Sequence, residues 1–399
     1  MVGSLNNKIE KKQLKIAIIG LGYVGLPIAE AFSKHFQVVG YDIDANRILE
    51  LKKKIDRNNI KKKNKKKFSK KLSFTNSKEF IKNCDIFIIT VPTPVNHRNK
   101  PDLFYLDRAI SDLTKFDLKG KFIVIESTVF PSLCSKYIKL IEDKKKLLNN
   151  KDFYFGFSPE RINPGDNFYT LKNIDKIVSS NSASSLLFLK KLYSKIVNKI
   201  HTSISIEDAE MAKIIENTQR DINIAFINEI SIICDKLNLN FGNVLNLASS
   251  KWNFLKFNPG LVGGHCISVD PYYLTHTLKK LNYKAKVILS GRDLNENYHK
   301  NISKFLKKKI KNKNIRVLVS GLSYKEDCND VRNSKAFKLS RVLKKEYFKV
   351  DLYDPHIKKK MVYKQKIIEV PKKNYYDLIV ICVRHKIFFK NSKLILSKF

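Results

Sequence analysis

Residues Lys15–Phe32 read KIAIIGLGYVGLPIAEAF: an apolar strand-like run, then Gly20, Gly22 and Gly25 around Tyr23 and Val24, then a helix-forming stretch. Each glycine has a separate use. Gly20 permits a tight turn, Gly22 lets the backbone approach a pyrophosphate, and Gly25 lets helix and strand pack closely. Such a turn alone is weak evidence for a ligand. It gains weight from a second run, QVVGYDID, which places Asp42 twenty residues after Gly22. A carboxylate there accepts hydrogen bonds from an adenosine ribose and repels a 2′-phosphate, which favours NAD over NADP. Arg47 follows closely, placed either to stack on adenine or to pair with a phosphate.

Outward from this stretch, short apolar runs ending in Gly, Pro, Ser or Asp alternate with helical segments: CDIFIITVP, KFIVIEST and FYFGFSPE. The rhythm predicts an α/β fold with a parallel sheet wrapped by helices. TVPTP (Thr90 to Pro94) and IESTVFP (Ile125 to Pro131) end two of these strands, at the edge where open α/β sheets bind ligands. Thr93 and Thr128 either line the nicotinamide side there or cap loops. From Ile206 to about Leu239, apolar residues recur near a period of 3.6 at Met211, Ile214, Ile215, Ile222, Phe226, Ile230, Ile233 and Leu237. This predicts one long helix, suited to a spine between domains or a dimer interface. Strand-like runs return in IRVLVSGLSYK, FKVDLYDP and YDLIVICV. The expected architecture is therefore two Rossmann-like doubly wound domains joined by a long central helix and a helical middle domain. Its boundaries fall at 1–203, 204–305 and 306–399.

At 399 residues and 43% hydrophobic, the chain has room for such domains. No apolar run approaches the roughly 20 residues of a membrane span, and no signal segment opens the chain, so a cytoplasmic enzyme without membrane attachment is expected. The six cysteines show no Cys-x-x-Cys pair, which signals neither a metal site nor a disulfide framework. A net charge of +40 and the run KKKNKKKFSKK (Lys61 to Lys71) raise nucleic acid as a partner. Lysine, asparagine and isoleucine are abundant along the whole chain, however, so a solvated lysine-rich loop is the better reading, and no nucleic-acid partner is expected.

Asn258–Leu274, NPGLVGGHCISVDPYYL, sets Cys266 behind two glycines, beside His265 and four residues ahead of Asp270. Together with FSPERINPGD and EDAEMAKIIENTQRD, and with GLSYKEDCNDVRNS near the C-terminus, it resembles the UDP-glucose/GDP-mannose dehydrogenase family, whose members oxidise a nucleotide sugar at C6 to the acid. The resemblance covers nearly the whole chain. KWNFLKFNPGLVGGHCISVDPYYLTH is most similar to the UDP-N-acetylglucosamine and UDP-N-acetylgalactosamine 6-dehydrogenases of surface-polysaccharide synthesis, of the Vi-antigen type that feeds capsule or lipopolysaccharide. The chemistry accounts for the thiol independently: two hydride removals leave an aldehyde between them, and a thiolate can hold it as a thiohemiacetal, then a thioester. An ordinary cysteine ionises near pH 8.5, so neighbours such as His265 are needed to favour the thiolate.

The resemblance assigns further roles. Lys213 and Asn217, one helical turn apart, stabilise the oxyanion. Asp270 assists proton transfer, and Glu160 serves thioester hydrolysis with Thr128 holding water, unless Glu160 merely pairs with a neighbouring arginine. Arg161, Lys325 and Arg332 meet the substrate pyrophosphate, with Tyr324 where the family carries phenylalanine, and Gly263 and Asn258 lie against the substrate. Three departures are visible. Pro164 stands where UDP-glucose enzymes carry a second glutamate, Asn258 where related enzymes carry arginine, and the chain stops at LILSKF where relatives continue, leaving an expected exposed sheet edge. The expected activity is NAD-dependent, four-electron oxidation of a UDP-N-acetylhexosamine by a homodimer or higher homo-oligomer. UDP-glucose and UDP-N-acetylmannosamine are alternative substrates, and a noncatalytic nucleotide-sugar binder is the alternative class.

Overall fold

Strands buried on both faces need no polar alternation, and Ile86–Ile89, Phe122–Ile125 and Tyr154–Phe157 are buried at every position. A computed structural model describes residues 2–57, 66–162, 170–279, 281–312, 314–346, 349–390 and 393–394. Pro164, Lys61 to Lys65 of the lysine run and the last five residues of LILSKF lie outside the described residues. The chain divides into two compact units, one of Met1–Ile215 with Tyr272–Thr277, the other of Glu216–Pro271 with Leu278–Phe399.

In the first unit, β1 (Lys15–Ile19), β2 (Gln37–Tyr41), β3 (Leu72–Thr75), β4 (Ile86–Ile89), β5 (Phe122–Ile125), β6 (Tyr154–Phe157), β7 (Lys176–Ser179) and β8 (Ile200–Ser203) form one sheet. Its order is β3-β2-β1-β4-β5-β6-β7-β8. Every neighbouring pair is parallel except β6 with β7. The order reverses between β1 and β4, so the carboxyl ends of these two strands open the crevice where such sheets bind ligands. Helices α2 (Gly25–Phe32), α3 (Ala45–Lys52), α4 (Phe104–Leu113), α5 (Leu133–Lys145) and α6 (Ala183–Tyr193) lie in the crossovers. The expected elements do not include α1 (Val2–Glu10), β3, β7 or β8. Helix α1 adds Val2, Leu5 and Ile9 to the core beside Phe188 and Leu192, and each fully buried side chain of this kind contributes about 1.5–3 kcal/mol.

The long helix is present as α7 (Ile206–Lys236). Its period was readable, but the buried face mixes apolar and polar groups. Ile206, Ala209, Ile214, Ala225, Ile227 and Cys234 are buried together with Glu210, Lys213, Thr218, Asp221 and Asn228, while Met211, Ile215, Phe226 and Ile233 are exposed. Helix α8 (Phe241–Ala248) has no buried residue. After α9 (Asp270–Lys279) and α10 (Lys286–Lys309), the second unit builds a small parallel sheet from β9 (Arg316–Ser320), β10 (Lys349–Tyr353) and β13 (Leu378–Ile381), in the order β10-β9-β13. Helix α11 (Ala336–Lys345) packs on it, and β11 (Met361–Val362) with β12 (Gln365–Lys366) makes a hairpin.

Both sheets turn their first strand in the same way. Gly20 (φ +96°) and Gly321 (φ +77°) leave β1 and β9 in the left-handed region open to glycine. The Gly20 N–H donates to Tyr41 O at 2.8 Å and the Gly321 N–H to Tyr353 O at 3.0 Å. The next amide is taken by an aspartate from the neighbouring strand: Leu21 by Asp42 Oδ2 at 2.8 Å, Leu322 by Asp354 Oδ2 at 2.7 Å. Asp354 also accepts from Ser323 and His356 amides and meets His385 Nε2 at 3.0 Å, with both side chains fully buried.

Burial pushes the Asp354 carboxyl up, but His385 and the converging amides outweigh it and hold the group below its ordinary 3.8. A depressed carboxyl stabilises the fold above its unfolded value, and that contribution is lost as pH falls through the folded one. Asp354→Asn is expected to cost about 2–3 kcal/mol near neutrality. Its deficit against the parent chain should shrink as pH is lowered below about 4, measured by urea unfolding across that range.

Candidate functional site

In the first unit, the glycine turn has the shape a dinucleotide requires. A Cβ on Gly25 would sit 1.9 Å from Gly20 O and 2.4 Å from Thr90 Oγ1, so helix α2 touches the turn backbone to backbone. A Cβ on Gly22 would meet nothing within 4 Å, so this exposed backbone faces open space. Val24 caps α2 without a side-chain hydrogen bond; in the first turn Leu26 N–H donates to Gly22 O at 3.4 Å and Pro27 has no N–H. Tyr23 and Val24 are half-buried around this turn. Thr90 Oγ1 donates to Gly20 O at 2.7 Å and ties the turn to β4. Asp42, pinned by Leu21 and Asp44 amides, keeps further lone pairs for ribose hydroxyls. These residues fit NAD.

Arg47 is turned inward: Nε donates to Leu21 O at 2.9 Å and Nη2 meets Asp56 at 2.8 Å. It is 4% exposed, a brace beneath the turn. Thr93 and Thr128 are half-buried beyond the ends of β4 and β5. The hydroxyl of fully buried Tyr273 donates to Thr93 O at 2.7 Å, and Ser127 Oγ donates to Val91 O at 2.7 Å, so both segments are held from behind.

Glu160 follows β6. Its Oε1 accepts the Ile162 N–H, and its Oε2 lies 4.0 Å from Lys176 Nζ. Arg161 Nη1 donates to Asp175 O at 2.8 Å. On α7, buried Glu210 accepts from the Ser132 and Cys134 amides at 2.6 and 2.9 Å and so caps α5 from outside. Burial pushes this carboxyl up to about 7, against those amides. Lys213, one turn further on, is 7% exposed.

The second unit explains the two glycines before Cys266. A Cβ on Gly264 (φ +83°) would lie 2.6 Å from the Tyr324 ring, and one on Gly263 would lie 3.0 Å from Asn333 O. The bare backbone packs against the loop that follows β9. Gly264 N–H donates to Arg332 O at 3.1 Å, while Asn333 Nδ2 and Ser268 Oγ donate to Gly264 O. Cys266 itself is exposed. Its carbonyl accepts the Asp270 N–H at 2.9 Å, which makes residues 266–270 one helical turn leading into α9. Asn217 Nδ2 donates to Asp270 Oδ2 at 2.6 Å, and Asp270 is 1% exposed.

Arg332 grips Asp330 through Nε at 3.0 Å and Nη2 at 2.5 Å. Burial raises the Asp330 carboxyl, but the guanidinium prevails and holds it low. His265 Nδ1 lies 3.9 Å from the same carboxylate, and its ring meets Tyr324 edge-on. Lys325 is half-buried in this loop, and its carbonyl accepts from Ser323 Oγ at 2.7 Å. Asn258 is exposed, two residues before Gly260, which Asn228 fixes through both its N–H and its carbonyl. Thus Asn217, Gly263, Cys266, Asp270, Tyr324 and Arg332 are linked within the second unit, while the dinucleotide residues, Thr128, Glu160, Arg161 and Lys213 belong to the first. Glu126, Lys176, Glu210 and Tyr273 were not singled out from sequence. A charge abutting a four-residue apolar strand, as in FIVIE and KIVS, was the available signal for the first two.

Sequence profiles of the UDP-glucose/GDP-mannose dehydrogenase family match in order: the NAD binding domain over residues 14–197, the central domain over 207–297 and the UDP binding domain over 318–396. The chain is 44% identical to a UDP-N-acetyl-D-glucosamine 6-dehydrogenase of Salmonella typhi, over 94% of this chain and 91% of that one. It is 40% identical to a UDP-N-acetyl-D-glucosamine 6-dehydrogenase of Pseudomonas aeruginosa, over 94% and 92%. A solved UDP-D-ManNAc dehydrogenase structure from Pyrococcus horikoshii superposes with a TM-score of 0.82 at 32% identity, covering 94% of this chain and 90% of that one.

The glycine geometry yields a paired test. Gly25→Ala is expected to cost about 1–3 kcal/mol in urea unfolding and to weaken NAD binding at least about tenfold by calorimetry. Gly22→Ala should leave stability within about 0.5 kcal/mol yet still weaken NAD, because its methyl occupies the open approach. Parent-like NAD affinity in both variants would place the cofactor elsewhere.

Proposed function

This chain belongs to the UDP-glucose/GDP-mannose dehydrogenase family, and from that premise we propose that it oxidises C6 of a UDP-N-acetylhexosamine, UDP-N-acetylglucosamine or UDP-N-acetylgalactosamine, to the uronic acid. As a member it is an NAD-dependent oxidoreductase of nucleotide sugars. The Cys266 chemistry is carried by a turn in which the buried Asp270 N–H donates to the carbonyl of exposed Cys266 and Asn217 Nδ2 donates to Asp270 Oδ2. The choice of sugar is supported by the 44% and 40% identities to UDP-N-acetyl-D-glucosamine 6-dehydrogenases.

Bound NAD supplies the hydride acceptor. The protein's own groups do the rest. Asp270 takes the C6 hydroxyl proton as the first hydride leaves, and the Cys266 thiolate adds to the aldehyde, forming a C–S bond. Lys213 and Asn217 offer an ammonium and an amide to the oxyanion, worth about 3 kcal/mol per donor in comparable sites. Loss of the second hydride leaves a thioester. Water, held by Thr128 and deprotonated by Glu160, then attacks the acyl carbon; the C–S bond breaks and the thiolate is restored. Arg161, Lys325 and Arg332 are assigned to the pyrophosphate, for which Arg332 must exchange Asp330 for phosphate oxygens. Tyr324, Gly263 and Asn258 line the sugar nucleotide.

A division into 1–203, 204–305 and 306–399 is supported by the order of the three matched profiles, over 14–197, 207–297 and 318–396. A homodimer or higher homo-oligomer is supported by the exposed apolar residues Met211, Ile215, Phe226 and Ile233 of α7, with Leu237 just beyond its end. A cytoplasmic place agrees with the described residues, where no helix is long and apolar enough to cross a membrane. Supply of capsule or lipopolysaccharide precursors is the role proposed by analogy with the Vi-type relatives. UDP-N-acetylmannosamine is the second reading, favoured by the likeness to the Pyrococcus structure.

Purified enzyme offered UDP-N-acetylglucosamine, UDP-N-acetylgalactosamine, UDP-N-acetylmannosamine and UDP-glucose is expected to turn over one of the first two fastest, with two NADH per uronate, and fastest turnover of UDP-N-acetylmannosamine would favour the second reading. A single NADH per sugar, or preference for UDP-glucose, would refute the reading. Cys266→Ser should lower turnover at least about a thousandfold while changing substrate affinity less than about threefold.

A further inference from the structure

The first unit buries an ion pair that no step above uses. Lys176 opens β7 and Glu126 follows β5, and their side chains are 1% and 0% exposed. The ammonium has three donors, and its near acceptors are Glu126 Oε2 at 2.5 Å, Pro159 O at 3.0 Å and Ser158 O at 3.4 Å. The other Glu126 oxygen accepts from Tyr193 Oη at 2.5 Å, and Tyr193 is fully buried. Stability alone does not call for such a pair, because apolar side chains of equal volume commonly serve as well. Its location supplies another account. Glu126 lies two residues before Thr128, and Pro159 directly precedes Glu160, whose Oε2 is 4.0 Å from the same ammonium. One buried cation thus ties together the two strand ends that carry the water-handling groups.

We infer that Lys176, held by Glu126 and Tyr193, is a positioning residue for thioester hydrolysis: it fixes the turn that carries Glu160 relative to the segment that carries Thr128 and keeps a cation beside the Glu160 carboxylate. The inference rests on the reading that Glu160 drives that hydrolysis. Oxidation then proceeds without Lys176, whereas release of the acid does not. Burial pushes the Glu126 carboxyl up, Lys176 opposes the shift and the nearby Glu160 charge adds to it.

The test compares Glu160→Gln, Lys176→Met and Lys176→Arg with the parent, using UDP-N-acetylglucosamine and NAD, stopped-flow NADH detection and intact mass of the quenched enzyme. Lys176→Met is expected to release a burst of two NADH per site and to accumulate a uronyl adduct on the protein. Its kcat should fall at least about thirtyfold with KM falling in step, so that kcat/KM stays within about threefold, and Lys176→Arg should recover most of the rate. Should Lys176→Met fail to fold around the stranded Glu126, the paired Lys176→Met with Glu126→Gln carries the same expectation. An adduct in Glu160→Gln but none in the Lys176 variants overturns this inference alone. No adduct in Glu160→Gln overturns the Glu160 reading and this inference with it. A burst slowed in step with turnover marks Lys176 as merely structural and also overturns the inference.

Discussion

The first unit depends on one contact between backbones, the approach of Gly25 to the carbonyl of Gly20. It brings the start of α2 against the end of β1, with Thr90 of β4 closing the third side. Nothing larger than hydrogen fits on Gly25, so the turn, the uncapped helix start and the crevice between β1 and β4 follow from a single steric requirement. An aspartate then fixes what the glycines leave loose. Asp42 and Asp354 each reach across from the neighbouring strand to take the amide after the turn glycine. The two sheets differ in size yet solve the same problem of an orphan amide at a strand end identically.

A second theme is the price of buried polarity and where it is accepted. Helix α7 hides Glu210, Lys213, Asp221 and Asn228 among Ile206, Ile214 and Ile227 while exposing Met211, Phe226 and Ile233. Each polar group taken out of water in this way must be answered by a specific partner. Glu210 answers the start of α5, Asn228 answers Gly260 and Asn295, and Asp221 meets Arg292 at 3.2 Å. The second unit is knit by these bonds: Asn295 connects Asp221 to Asn228, and Asn228 fixes the loop leading toward the glycines before Cys266. Such directional bonds set register where apolar contacts alone would tolerate slippage.

The arrangement around Cys266 joins both themes. Gly263 and Gly264 give up side chains so that the loop can lie on Tyr324 and Asn333, and Ser268, Asp270 and Asn217 satisfy the polar groups that this close packing leaves. The thiol stays exposed on a turn that is otherwise bonded at nearly every position. Rigid support beneath exposed Cys266 suits the covalent role proposed for it.

Much of this was legible along the chain because it depends on local rules. Strands β1, β2, β4, β5, β6, β9, β10 and β13 announce themselves as apolar runs ending in turn residues, and α7 by its period, since both patterns arise from neighbours a few residues apart. The glycines of the dinucleotide turn and of the Cys266 loop were equally plain, because only glycine suits such backbone. What the chain alone left undecided was which face of α7 would be buried, and that Arg47 would brace the turn from below. Nor did it disclose the bonds from Asn217 to Asp270 across 53 positions, or from Lys176 to Glu126 across 50. Linear order determined the elements and the residue types that chemistry demands. Only the folded chain decided which charges meet, because desolvation and partnership depend on distance in space, which sequence separation does not encode.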